Sequence, residues 1–230
     1  MTAVEKLINV AKAEVGYLEK KSNSELDGKT TNAGYNNYTK YWRDVAPSYQ
    51  AQAWCAAFVT WCFEKAFGKD IATKLLGHYP YVYVPTLTNM FTRHANPKVG
   101  DVVCFYRSGS FCHTGLVIYV NGDYFETVEG NTSGGGSIVA NGGGVFKKGY
   151  YNSQLPGTKF IRPDYSIVPE DKIEVKELTT INDIVWELGY RGIVSDKDGM
   201  VNAMSAEPNG RLYWLARKAV NYMREKEMGL

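Results

Sequence analysis

The chain has 230 residues, 44% of them apolar and 22% charged, and a formal net charge of +2. That composition supports a packed core and argues against disorder, and the length suits one domain of ordinary size plus a small second module. So even a charge balance gives no basis for nucleic acid or a membrane surface as a partner.

The N-terminal stretch MTAVEKLINVAKAEVG has scattered charges and lacks the apolar core of a signal peptide, so synthesis in a cytoplasm is expected. No segment approaches the roughly 20 apolar residues of a membrane span. Residues 2–15 are predicted helical, with Val4, Leu7, Ile8, Ala11 and Val15 on one face, Thr2 and Glu5 as a capping box, and Gly16 as the stop. Residues 20–50 are polar and rich in Asn, Tyr and Gly, which predicts loops with short helical pieces. A second helix is predicted from Ala53 to Phe67, its buried stripe formed by Phe58, Val59, Cys62, Phe63 and Ala66, with Gly68 ending it.

From Gly100 the period changes to that of strands. DVVCFY, HTGLVIYV and YFETVEG are short, rich in β-branched and aromatic residues, and separated by turn residues, with a hairpin signal at Asn121-Gly122-Asp123. The glycine-heavy stretch from Asn131 to Gly149 reads as loops or a further hairpin leading to KFIRP. Residues 166–180 lack helical periodicity and form a predicted linker. Helix signals return over 181–226, where Leu212, Leu215, Ala216, Ala219, Val220 and Met223 fall on one face of the last helix. A module of this size has little core of its own.

Four cysteines (Cys55, Cys62, Cys104, Cys112) in a chain this long do not make a disulfide scaffold. Cys55 stands at the predicted start of the second helix, where unpaired backbone N–H groups and the positive end of the helix dipole favour a thiolate and can receive an oxyanion. The plainer alternative is a small buried cysteine, which also fits Cys62 and Cys104. Cys112 precedes His113, and strand alternation turns its side chain to the opposite face.

His113 opens an apolar strand, where a histidine is either a packed, hydrogen-bonded residue or a base. Hairpin register offers a second criterion. A three-residue loop pairs Val120 with Tyr124 and brings His113 opposite Asn131, with Glu129 on the same face; a two-residue Asn-Gly loop shifts the pairing and removes that alignment. A carboxylate or amide beside the imidazole is what a thiol–imidazole site needs to fix the tautomer. Zinc fits poorly, because Cys55 and Cys62 lie seven apart, and no acidic EF-hand loop offers a calcium site. Glu126 and Glu129 face opposite sides of a strand, which gives a two-carboxylate glycosidase little support.

Taken in order, these segments resemble a known family. Ala53-Trp54-Cys55-Ala56-Ala57-Phe58-Val59 looks like the nucleophile helix of CHAP domains, the cysteine- and histidine-dependent amidohydrolases/peptidases of papain-like fold. Gly100-Asp101-Val102-Val103, His113-Thr114-Gly115 and Val128-Glu129-Gly130-Asn131-Thr132 follow in the family's order, and the resemblance covers about residues 3–165. It implies an α+β fold, helices on an antiparallel sheet, with Cys55 as nucleophile, His113 as base, and Glu129 and Asn131 orienting the imidazole. The implied substrate is bacterial peptidoglycan, cut as an amidase at the sugar–peptide link or as an endopeptidase within the peptides. Some members carry an acidic calcium loop near the nucleophile; here that region reads PSYQAQAWCAAF, without a carboxylate, so no metal and no cofactor are expected.

The stretches Ile184-Val185-Trp186-Glu187-Leu188 and Tyr213-Trp214-Leu215-Ala216-Arg217-Lys218 look like a C-terminal module of phage and prophage lysis proteins. The expected layout is a catalytic domain over 1–165, a linker over 166–180, and a small all-α module over 181–230 that binds cell wall or mediates self-association. That is the layout of an endolysin, made in the host cytoplasm and released to the wall by a holin. A chromosomal autolysin or interbacterial hydrolase of the same chemistry, and a non-catalytic wall-binding protein, stand as alternatives.

Overall fold

A computed structural model describes residues 1–139, 141–169, 181–190, 193, 195–206 and 211–227. The chain divides into two compact units, Met1–Glu170 and Asp171–Leu230.

The first unit is a mixture of helices and one antiparallel sheet. Helix α1 (Ala3–Ala13) starts on the expected capping box: Thr2 Oγ1 accepts from Glu5 N–H at 3.2 Å, and Glu5 Oε2 accepts from Thr2 N–H at 2.8 Å. The polar stretch after it holds α2 (Lys40–Val45) and a short 3-10 turn at Pro47–Tyr49. Helix α3 (Cys55–Phe67) begins two residues later than its sequence pattern predicts, at Cys55 itself. It is buried on almost every side, as a helix apolar all round must be, with Leu7, Tyr41 and Trp54 in the same core. Gly68, at φ +79, ends it, and α4 (Lys69–Leu76) and α5 (Pro85–Met90) follow. Patterning does not single these two out, because each is short and α5 starts on a proline.

The sheet has five strands in the order β4-β3-β2-β1-β5: β1 (Val102–Arg107), β2 (Ser110–Asn121), β3 (Tyr124–Thr132), β4 (Gly144–Tyr151) and β5 (Lys159–Ile161). The glycine-heavy stretch therefore does form a further hairpin, between β3 and β4. Val102, Cys104, Leu116, Ile118, Val128, Val145 and Ile161 share a core with the helices. Val103, Phe105, Val117, Phe125, Tyr150 and Phe160 form a second apolar cluster, with Ile138 and Leu155 packed on it.

The β2–β3 register differs from both expected alternatives. Asn121 pairs with Tyr124 across a two-residue Gly122-Asp123 turn, so Val120 faces Phe125 rather than Tyr124. An irregularity between Val117 and Tyr119 then absorbs one residue, and Leu116 pairs with Val128. That pairing is the one a three-residue loop would have produced, and it is reached through a bulge instead; it ends at Leu116 and Val128, beyond which Gly115 lies against Glu129.

The first unit extends past residue 165, where the linker is expected. Tyr165 stacks on Phe63 at 6.3 Å and donates its hydroxyl to Gly100 O at 2.6 Å, while Val168 packs on the main core. Residues 170–180 lie outside the described ones.

The second unit consists, among the described residues, of α6 (Ile181–Tyr190), α7 (Lys197–Ala206) and α8 (Arg211–Glu227). Its core is Ile184, Val185, Leu188, Met204, Tyr213, Ala216 and Val220, with Met223 partly buried. Ala219, expected on the buried face of α8, is exposed, and Tyr213 takes the inward place three residues before Ala216. The side chains of Leu212 and Leu215 lie outside the described residues. No described helix is long and apolar enough to cross a membrane.

Candidate active site

Cys55 is the first residue of α3, and no side chain caps that helix end. The first N–H groups of the helix thus lack intrahelical partners at the point where the thiol sits. Trp54, just before it, is fully buried and donates Nε1–H to Glu19 Oε2 at 2.8 Å. Glu19 is 2% exposed, also accepts from Asn37 N–H at 3.3 Å, and has its carboxyl pushed up by burial. This carboxylate fixes the indole that sets the start of α3. Nothing in the sequence links Glu19 to Trp54, since 35 residues separate them.

The sheet meets that helix end at Gly130. A Cβ there would lie 2.5 Å from Phe58 Cβ and 2.8 Å from Trp54 Cζ3, so only a glycine admits so close an approach. The two neighbours of this glycine in β3, Glu129 and Asn131, are both fully buried. Asn131 has φ +56, a left-handed conformation that asparagine tolerates better than most residues.

His113 in β2 is likewise fully buried, and its ring stacks on Phe105 at 5.8 Å. Its Nε2 lies 2.9 Å from Glu129 Oε2. The other carboxylate oxygen accepts from Thr127 Oγ1 at 2.6 Å, which fixes the carboxylate plane. Gly115 makes room for this arrangement, because a Cβ there would lie 2.5 Å from Glu129 Cγ. With Nε2 engaged by Glu129, Nδ1 is the ring nitrogen left for a thiol, and it makes no hydrogen bond of good geometry in this resting state.

The charge balance around His113 sets its protonation. Burial by itself would lower its pKa, but the Cys55 thiol beside the ring and the Glu129 carboxylate outweigh that and raise it to about 9. Burial likewise works to raise Glu129, yet His113, Thr127 and Lys148 hold its carboxyl below the usual range. The arrangement favours an imidazolium held between a carboxylate and a sulfur.

The other cysteines differ. Burial pushes the thiols of Cys62 and Cys112 up, and that of Cys104 up to about 12, which keeps them protonated at neutral pH. Cys62 and Cys104 are fully buried, whereas Cys55 retains 6% exposure. Cys112 is the extra residue where the β1–β2 register shifts, with Sγ 3.8 Å from Phe105 O, so strand alternation does not decide its direction.

The Gly100-Asp101 motif is a brace rather than part of this cluster. Asp101 is 1% exposed and accepts both Arg162 Nε–H at 2.9 Å and Arg162 Nη2–H at 2.8 Å, tying the start of β1 to the segment after β5. Glu126 lies outside the cluster too, pairing with Lys147 at 2.8 Å. Among the described residues no group of three His, Cys, Asp or Glu side chains is arranged to hold a metal ion. A groove of about 390 Å³, lined by Leu18, Tyr35, Ser133, Gly143 and Phe146 among others, opens along the segments that follow Tyr17 and Thr132.

Comparison with known proteins adds one family match. The model of the CHAP domain family matches residues 47–131. No curated protein matches the chain. Among solved structures, one titled "The crystal structure of Ly7917" is similar at a TM-score of 0.38 and 16% identity, over 71% of this chain and 63% of that one. The alignment thus spans less than two thirds of that chain, and so low a score carries no argument. The family match runs from the turn before α3 through Cys55, His113 and Glu129 to Asn131, and the chain carries a CHAP domain over that stretch.

Proposed function

We propose that the protein is a peptidoglycan hydrolase that cuts an amide or peptide bond by cysteine nucleophilic catalysis. The observation that carries this reading is the fully buried His113–Glu129 pair at 2.9 Å, with Cys55 beside the imidazole at an uncapped helix start. In this reading Glu129 holds Nε2–H, so that Nδ1 takes the thiol proton and Cys55 reacts as a thiolate.

The thiolate sulfur attacks the scissile carbonyl carbon, and the carbonyl oxygen becomes an oxyanion. Open N–H groups at the start of α3 stabilise that charge. Collapse breaks the C–N bond, the imidazolium gives its proton to the departing amine, and a thioester on Cys55 remains. His113 then takes a proton from water, whose oxygen attacks the thioester and releases the carboxylic acid product. Asn131, buried one residue beyond Gly130, serves in this reading to shape the imidazole pocket.

The finer reading is an endolysin, with synthesis in a host cytoplasm, holin-type release to the wall, and the helical second unit as an accessory that binds wall or self-associates. A neighbouring holin gene supports it, and a neighbouring secretion or immunity gene points to an autolysin or interbacterial hydrolase instead. The chemistry is tested by digesting purified peptidoglycan and identifying the fragments by mass spectrometry. New lactyl ends on sugars identify an amidase, and cut peptides an endopeptidase. Cys55→Ser should abolish both while leaving the circular dichroism spectrum unchanged; undiminished release by that variant would overturn the reading.

A further inference from the structure

Lys148 in β4 is only 3% exposed, and neither nucleophile nor base chemistry uses it. It pairs with Thr127 across the β3–β4 ladder, which sets the two side chains on one face of the sheet. Thr127 donates to Glu129 Oε1 at 2.6 Å, and Glu129, two residues on, shares that face. The Lys148 ammonium donates to Thr132 Oγ1 at 3.2 Å and to the Ser137 carbonyl, and lies 5.9 Å from the Tyr150 ring centroid. Ser137 and Ile138 belong to the segment between β3 and β4; Ile138 packs on the cluster containing Phe105, and its carbonyl accepts from Arg107 at 3.2 Å.

A buried cation needs a nearby negative group, and Glu129 is the carboxylate it faces. We propose that Lys148 is a positioning residue for the thiol–imidazole pair: its charge keeps Glu129 ionised against His113, and its hydrogen bonds tie Ser137 to Thr132 at the end of β3. Burial lowers Lys148, an effect the Glu129 charge opposes, while His113, Thr127 and Lys148 together hold the Glu129 carboxyl below its usual range against its own burial. The titratable groups facing Glu129 are His113 from β2, Lys148 and Tyr150 from β4, and, through His113, Cys55 from α3.

The proposal rests on the Cys55–His113 reading, so its test uses a readout that needs no substrate. The rate of Cys55 alkylation by iodoacetamide is followed against pH, by mass spectrometry of the Cys55 peptide, in the full chain. Lys148→Met removes charge and donor; Lys148→Gln removes the charge but keeps a donor for Thr132 and Ser137; Lys148→Arg keeps both. Without the charge Glu129 protonates at higher pH and the imidazolium loses its partner earlier on acidification. The acid limb of the profile should therefore move up by about one pH unit in the Met and Gln variants and stay in place in the Arg variant. A purely structural lysine would slow or destabilise the protein without moving the limb. An unmoved limb in Lys148→Gln overturns the proposal, whether or not Lys148→Met folds. A wild-type profile with no acceleration by His113 would instead count against the thiol–imidazole reading itself, which separates the two failures.

Discussion

Replacing Gly115 with alanine tests how tightly the sheet is built around Glu129. The backbone at Gly115 is ordinary strand, so alanine suffers no strain of its own, and only space decides the outcome. The new methyl would lie 2.5 Å from Glu129 Cγ and 2.9 Å from Val128 O, against ordinary carbon contacts of about 3.5–4.0 Å. Glu129 must then retreat by about 1 Å, the shortfall between those distances. A retreat of that size stretches the 2.9 Å bond to His113 Nε2 out of hydrogen-bonding range. Overpacking of this kind costs about 1–3 kcal/mol, and a misplacement of about 1 Å at a reacting group costs on the order of 100-fold in rate. Urea unfolding measures the first effect, and the initial rate of peptidoglycan digestion the second. A double-mutant cycle with Glu129→Ala sharpens the test, because removing Cγ removes the nearest clash and should make the cost of Gly115→Ala markedly smaller. Wild-type stability and rate in Gly115→Ala alone, or strict additivity in the cycle, would refute the packing argument.

Gly130→Ala should be more damaging, since its methyl meets Phe58 Cβ at 2.5 Å and the rigid Trp54 ring at 2.8 Å; thermal unfolding should show a loss of about 2–3 kcal/mol together with loss of activity. Glu19→Ala leaves the Trp54 indole N–H buried without its acceptor and should cost about 1–3 kcal/mol by urea unfolding. Stability should also depend on pH in a defined way. His113 is raised from its ordinary 6.5 to about 9, so its contribution is complete below 6.5 and is lost as pH rises through 9. Glu129 is lowered from its ordinary 4.5, so its contribution is complete above 4.5 and is lost as pH falls through its lower folded value. Unfolding free energy measured against pH should thus be highest between those ordinary values, and Glu129→Gln should flatten both slopes.

Much of the site is legible in the sequence because it follows from local rules. A cysteine just before an apolar helical run, and a histidine opening an apolar strand, can be located from periodicity alone. Register is harder. The β2–β3 turn falls on Gly122-Asp123, and the residue it displaces is recovered at Ile118, so turn chemistry alone would have mispaired Leu116 and Val128. Bulges answer to packing on both faces of a sheet, and single-strand patterning carries no trace of that. The supporting residues were hidden for a similar reason. Lys148 looks like any strand lysine until β4 is paired with β3, and Glu19 is one polar residue in a loop until Trp54 is buried against it. The helical unit followed its pattern in outline but not in facing: Tyr213 turns inward and Ala219 outward, a choice made by what α6 and α7 present to α8.

Brief labelling with iodoacetamide at neutral pH, read by intact mass and peptide mapping, tests the coupling of sulfur and imidazole most directly. One adduct should form, on Cys55, while Cys62, Cys104 and Cys112 stay unmodified, and His113→Gln should slow it at least about tenfold. Labelling that falls first on another cysteine, or a Cys55 rate untouched by the loss of His113, would contradict the account.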